Sequence, residues 1–148
     1  MRHFRTLLTT LLLIVPMTTW AQQRFSSQLT LPTGQTLVIQ ESDLEARSIG
    51  SFSVRLYQAA AAPDTTTFFS DGLIRPRDGM VEKAYLADLN DDNQPELIVQ
   101  VRSAGTGNYL SLHVFNIQQE KISVVMELNE LAATVDPIAA LKKEMPLH

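Results

Sequence analysis

Cysteine is absent from all 148 residues, which removes disulfides, thiol nucleophiles, thiolate metal sites and a lipid anchor on cysteine at one stroke. Histidine is almost as scarce: His3, His113 and His148 are the whole supply, and no spacing of them suits a metal or a serine–histidine–carboxylate triad. No glycine-rich loop precedes a helix, so a phosphate cradle is missing. No carboxylate pair stands in an apolar stretch as glycoside hydrolysis would want it. The chain reads as a non-enzyme. Long apolar runs are lacking too, since the best one, Leu7 to Val15, falls short of the ~20 residues that a membrane span needs. Arg2, His3 and Arg5 precede it and Thr19 and Ala21 close it, the pattern of a secretory signal peptide cut after Ala21 rather than of an uncleaved anchor. Residues 22–148 are then one mature domain, large enough to bury a core without staples. Basic charge is in deficit: of 12 basic and 16 acidic residues the leader takes Arg2 and Arg5, moving the net charge from −4 to −6. That surface disfavours nucleic acid and membrane insertion and suits a basic protein partner. An exported domain held by packing alone points to the periplasm of a bacterium.

What the mature chain has in quantity is β-strand text. Residues 24–31 and 35–41 flank Pro32, Thr33 and Gly34 as a hairpin. Residues 51–58 put Phe52, Val54 and Leu56 on one face and Ser53, Arg55 and Tyr57 on the other. Residues 65–69 read as a loop entering a short strand, and 72–79, with Gly72, Pro76 and Gly79, as a surface loop whose Arg75 and Arg77 make a small basic spot. Residues 81–89, 96–102, 109–117 and 121–128 are four successive β-runs with short turns, an antiparallel meander. Asp136 followed by Pro137 starts a short C-terminal helix that Lys142 and Lys143 suit at its end. The class is all-β: an antiparallel β-sandwich, or an irregular barrel, of about eight strands plus that helix.

Two turns within the meander carry unusual residues. Asp88, Asn90, Asp92 and Glu96, with the Gln94 carbonyl, alternate oxygens in the manner of a calcium loop. Val99 occupies the place of an EF-hand's last glutamate and Asn93 that of its glycine, which leaves either a β-hairpin Ca2+ loop or a metal-free, Asx-rich turn. The second turn, Ser103-Ala104-Gly105-Thr106-Gly107-Asn108-Tyr109, reverses two strands and pushes Thr106 and Tyr109 to a hairpin tip. Gly105 and Gly107 give the backbone freedom there, and Arg102 at its base is placed to meet a partner's rim. On spacing alone this is a protruding hairpin, for which ordinary hairpin punctuation is the favoured reading.

The residues 50–57 (Gly-Ser-Phe-Ser-Val-Arg-Leu-Tyr), 67–74 (Thr-Phe-Phe-Ser-Asp-Gly-Leu-Ile), and 87–92 (Ala-Asp-Leu-Asn-Asp-Asp) through Tyr109 and Leu110 together carry a resemblance that covers most of residues 50–116. The chain resembles the periplasmic inhibitors of invertebrate-type (i-type) lysozyme from Gram-negative bacteria. Such inhibitors bear a Ser-Gly-x-Tyr motif on a loop that enters the lysozyme cleft; the matching positions are Thr106, Gly107, Asn108 and Tyr109, with threonine for serine and the hydroxyl kept. The resemblance implies a β-sandwich-like fold, an i-type lysozyme as partner, no required cofactor, and evasion of host defence by blocking rather than by catalysis. Supporting roles fall to Ser103, Gly105 and Arg102. Apart from the resemblance, a secreted calcium-binding or envelope-associated β domain is the alternative, and exposed apolar edges leave a homodimer open.

Overall fold

The computed structural model describes residues 23–63 and 65–145; the expected signal peptide and His148 lie outside them. Eight strands follow in chain order: β1 Ser26–Thr30, β2 Thr36–Glu41, β3 Ile49–Tyr57, β4 Phe69–Asp78, β5 Met80–Ala87, β6 Glu96–Arg102, β7 Leu110–Gln118 and β8 Lys121–Leu131, then helix α1 Pro137–Glu144. They pair antiparallel in two four-stranded sheets, β1-β2-β3-β4 and β5-β6-β7-β8. Each sheet is a plain meander, so neighbours in sequence are neighbours in space.

The alternation in the sequence explains the layering. Leu37 and Ile39 of β2 and Phe52, Val54 and Leu56 of β3 point one way and meet Val81, Leu97, Val99, Val101 and Phe115 from the second sheet. This is the core of a sandwich, and full burial of a side chain such as Phe52 is worth about 2–3 kcal/mol. Central strand β6 is buried on both faces from Glu96 to Val101, because Ile98 joins Leu89, Leu112, Val114 and Leu141 in a second cluster beneath α1. The helix is thus a lid on the outer face of the second sheet. Asp136 caps it, its Oδ1 accepting from the Ile138 amide at 3.1 Å. Pro137 opens the first turn, and Lys142 near the end reaches Asp91 Oδ1 at 3.1 Å.

Of the expected surface loop at 72–79, residues 72–78 instead belong to the ten-residue strand β4, and only Gly79 lies in a turn. Glycine and proline suggested a loop, but an edge strand tolerates both. Pro76 sits opposite Ser51 on a strand that pairs only with β3, so its missing N–H can face away from the ladder. Arg75 and Arg77 do not form a basic spot on the surface. Arg77 is 3% exposed and ion-pairs through Nε with Glu41 Oε1 at 3.3 Å. Arg75 crosses to the other sheet and meets Glu127 Oε2 at 3.0 Å. With Asp71, which accepts from the Ile122 amide at 2.8 Å, it ties β4 to β8 by side chains where no backbone ladder runs.

The β4–β5 turn shows where a glycine is required. Gly79 has φ +120°, and a Cβ there would overlap the Arg102 carbonyl. The turn therefore packs its bare backbone against the end of β6, directly beneath the loop that follows.

Candidate functional site

The β6–β7 loop is built on a closed neck. The Ser103 amide donates to the Tyr109 carbonyl at 2.9 Å, and the Tyr109 amide donates to Ser103 Oγ at 3.1 Å. Residues 104–108 between them are all exposed, and Tyr109 keeps 47% of its surface open to solvent. Thr106 is the middle of these exposed residues, and Tyr109 is the loop's one large aromatic side chain.

The loop turns at a different residue from the one that the glycines suggest. Asn108 holds the left-handed conformation at φ +53°, which asparagine tolerates better than other non-glycine residues. Gly105 has open space where a side chain would be, whereas a Cβ on Gly107 would run into the ring of Tyr109. Gly107 thus lets the tyrosine fold back over the loop rather than supplying a positive φ.

Arg102, expected at a partner's rim, is turned to its own chain. Its Nε and Nη2 donate to Glu82 Oε1 and Oε2 at 2.9 and 2.7 Å, and its Nη1 donates to Asn108 Oδ1 at 2.8 Å. Glu82 has no signature in the sequence, because a strand glutamate reads as a solvated position until register is known.

The acidic turn lies at the other end of β6, about 20 Å away by strand rise, so the two turns are separate places. Asp88 accepts the Asp92 amide at 3.2 Å on Oδ1 and the Asn93 amide at 2.8 Å on Oδ2. Asp92 accepts from the Gln94 amide at 2.7 Å, and the Asn90 side chain donates to Asp92 at 2.9 Å. Asp91 and Asn93 take positive φ values of 60° and 66°. Glu96 is 2% exposed and accepts from the Leu89 amide at 3.0 Å, so it faces inward. Among the described residues no three His, Cys, Asp or Glu side chains gather as a metal-binding group.

His113 is a packed strand residue. It is 3% exposed, meets Phe52 edge-on at 5.1 Å, and its Nδ1 lies 3.3 Å from Glu127 Oε2 without hydrogen-bond alignment. Burial holds the imidazole below the ordinary histidine pKa, against the opposing pull of Glu127 and with help from Arg75. An unfolded chain takes up that proton near pH 6.5 while the folded one resists it. Stability is therefore full above about pH 6.5 and falls as pH drops through it, until the folded ring titrates as well. Thermal melts between about pH 8 and about pH 5 should show the fall, and His113→Gln should flatten it.

With this geometry in view, the likeness to known proteins is specific. A family model described as periplasmic lysozyme inhibitor of I-type lysozyme, PliI, matches residues 23–145. The crystal structure of PliI-Ah, the periplasmic lysozyme inhibitor of I-type lysozyme from Aeromonas hydrophila, is 43% identical and superposes with a TM-score of 0.73, covering 79% of this chain and 98% of that one. Aeromonas hydrophila PliI solved in complex with Meretrix lusoria lysozyme is 44% identical, with a TM-score of 0.72 over 80% of this chain and 95% of that one. No curated protein sequence matches this chain.

Proposed function

The chain belongs to the family of periplasmic lysozyme inhibitors of I-type lysozyme, and from that premise we propose that it blocks an I-type lysozyme by inserting the Thr106–Tyr109 turn into the active-site cleft. The observation that supports this reading is the turn itself: exposed from 104 to 109, closed at its neck by Ser103 and Tyr109, and bearing Thr-Gly-Asn-Tyr where the family motif reads Ser-Gly-x-Tyr. A lysozyme cleft offers catalytic carboxylates and sugar subsites. The Thr106 hydroxyl donates to a carboxylate and the Tyr109 ring fills a position otherwise held by sugar. The turn presents no glycosidic bond, so it occupies the site without being cut. In the periplasm such binding protects the cell wall from a host's lysozyme.

The test is a cell-wall lysis assay with the purified mature protein against invertebrate, chicken and goose types of lysozyme. Inhibition of the invertebrate type is the expected result, and its absence would remove the proposal. Thr106→Ser probes the threonine in particular. The variant keeps the hydroxyl and loses one methyl, so its inhibition constant should stay within about threefold of wild type, whereas Thr106→Ala should weaken inhibition by about 1 kcal/mol through the lost hydrogen bond.

A further inference from the structure

Resting on that reading, we infer that Glu82 is the positioning residue of the inhibitory turn, holding its shape through Arg102 and Asn108. The first observation is backbone. The β5–β6 register runs Val81↔Val101 and then Lys83↔Gln100, so Glu82 is the extra residue of a β-bulge. Bulges re-aim a side chain out of the regular ladder. This one sets a single carboxylate between two positions of β6: Glu82 Oε2 accepts from Gln100 Nε2 at 2.7 Å while both oxygens take the Arg102 fork.

The second observation is at the far end of the same guanidinium. Its remaining nitrogen, Nη1, donates to Asn108 Oδ1 at 2.8 Å and lies 3.4 Å from the Asn108 carbonyl. Asn108 is the left-handed residue between Gly107 and Tyr109, so the contact fixes the point at which the turn changes direction and launches the tyrosine. Glu82 fixes the plane of the guanidinium, and the guanidinium fixes Asn108. Lysine could not replace the arginine, since an ammonium has no planar fork to span both partners.

The carboxyl of Glu82 is pushed up by partial burial, but the hydrogen bonds from Arg102 and Gln100 outweigh this and hold it below the ordinary glutamate range, so it stays charged at neutral pH. The Arg102 and Glu82 side chains are 28% and 39% exposed, and a pair so open adds little to global stability. Its effect lies in order: a turn already fixed in its bound shape loses less conformational freedom on docking.

Glu82→Gln and Arg102→Lys test this alongside wild type and Tyr109→Ala. Both variants should inhibit an I-type lysozyme about tenfold less well, chiefly through faster dissociation, with an unchanged melting temperature. In the free protein, amide NMR signals of residues 105–109 should shift and their order parameters fall, while those of the sheets stay in place. Glu82→Gln with wild-type inhibition and an unmoved turn overturns the inference, as does a loss of inhibition that merely tracks a lower melting temperature. The NMR result stands without any lysozyme. A disordered turn in Glu82→Gln together with a wild-type protein that fails to inhibit would therefore sink the lysozyme reading and leave the positioning role intact.

Discussion

Replacing Tyr109 with alanine is expected to raise the inhibition constant for an I-type lysozyme by about thirtyfold, equivalent to about 2 kcal/mol, with little change in folding stability. Tyr109 is 47% exposed, and its ring lies back over Gly107 instead of filling the core, so truncation leaves no cavity in the fold. Its backbone amide and carbonyl close the neck with Ser103, and alanine retains both bonds. The change removes the aromatic surface and the phenol alone. Tyr109→Phe separates the two: if the ring is the anchor, it should recover most of the loss, and if the hydroxyl carries the contact, it should resemble alanine. An inhibition constant for Tyr109→Ala equal to that of wild type would show that the turn is not the docking element.

The largest expected effect on stability is far from the turn. Glu41→Ala should lower unfolding free energy by about 3–5 kcal/mol, read from denaturant midpoints at constant slope. Glu41 is 3% exposed at the end of β2. Its Oε1 accepts from the Val81 amide at 2.7 Å and faces Arg77 Nε at 3.3 Å, and its Oε2 accepts from the Phe25 amide at 3.2 Å. One carboxylate thus joins the residue just before β1, the edge strand β4 and the first strand of the other sheet. Arg77 is spent on carbonyls besides: Ser51 at 3.2 Å, Arg47 at 2.7 Å, Ala46 at 3.1 Å, and Gly79. Removing Glu41 takes away the carboxylate paired with a buried guanidinium, leaving it only the coulombic attraction of Glu45, and leaves two amides unpaired.

Two comparisons make that prediction specific. Lys121→Ala, which deletes an ion pair with Asp71 at 3.8 Å across a largely exposed lysine, should cost less than about 1 kcal/mol. Arg77→Lys should not rescue the network, since three donors on one point charge cannot serve carbonyls on several sides. A Glu41→Ala midpoint close to that of Lys121→Ala would mean that the buried network contributes nothing particular.

How far the chain was legible can be judged from these same residues. Period-two alternation disclosed which side chains of β2 and β3 face inward, because a strand with one buried face forces that period on the sequence, whereas β6, buried on both faces, carries no such period. The helix start was legible at Asp136 and Pro137, where capping chemistry is local. The turn at 103–109 was legible as a reversal, and its likeness to the family motif is what marks it as the docking element we propose. The strand through Gly72 and Pro76 was not, because whether such residues end a strand depends on whether it lies at an edge, a property of the sheet and not of the segment.

The sequence by itself determined the alternation, the meander, the helix cap and the exposed Thr-Gly-Asn-Tyr turn, all of which depend on residues within a few positions of one another. Only the tertiary structure decided that Arg77 is buried on Glu41, that Asn108 rather than a glycine carries the turn, and that a bulge at Glu82 braces it through Arg102. The ion pairs Arg77–Glu41 and Arg102–Glu82 join residues 36 and 20 positions apart by strand register and burial, and a charged residue in alternating text declares its face but never its partner.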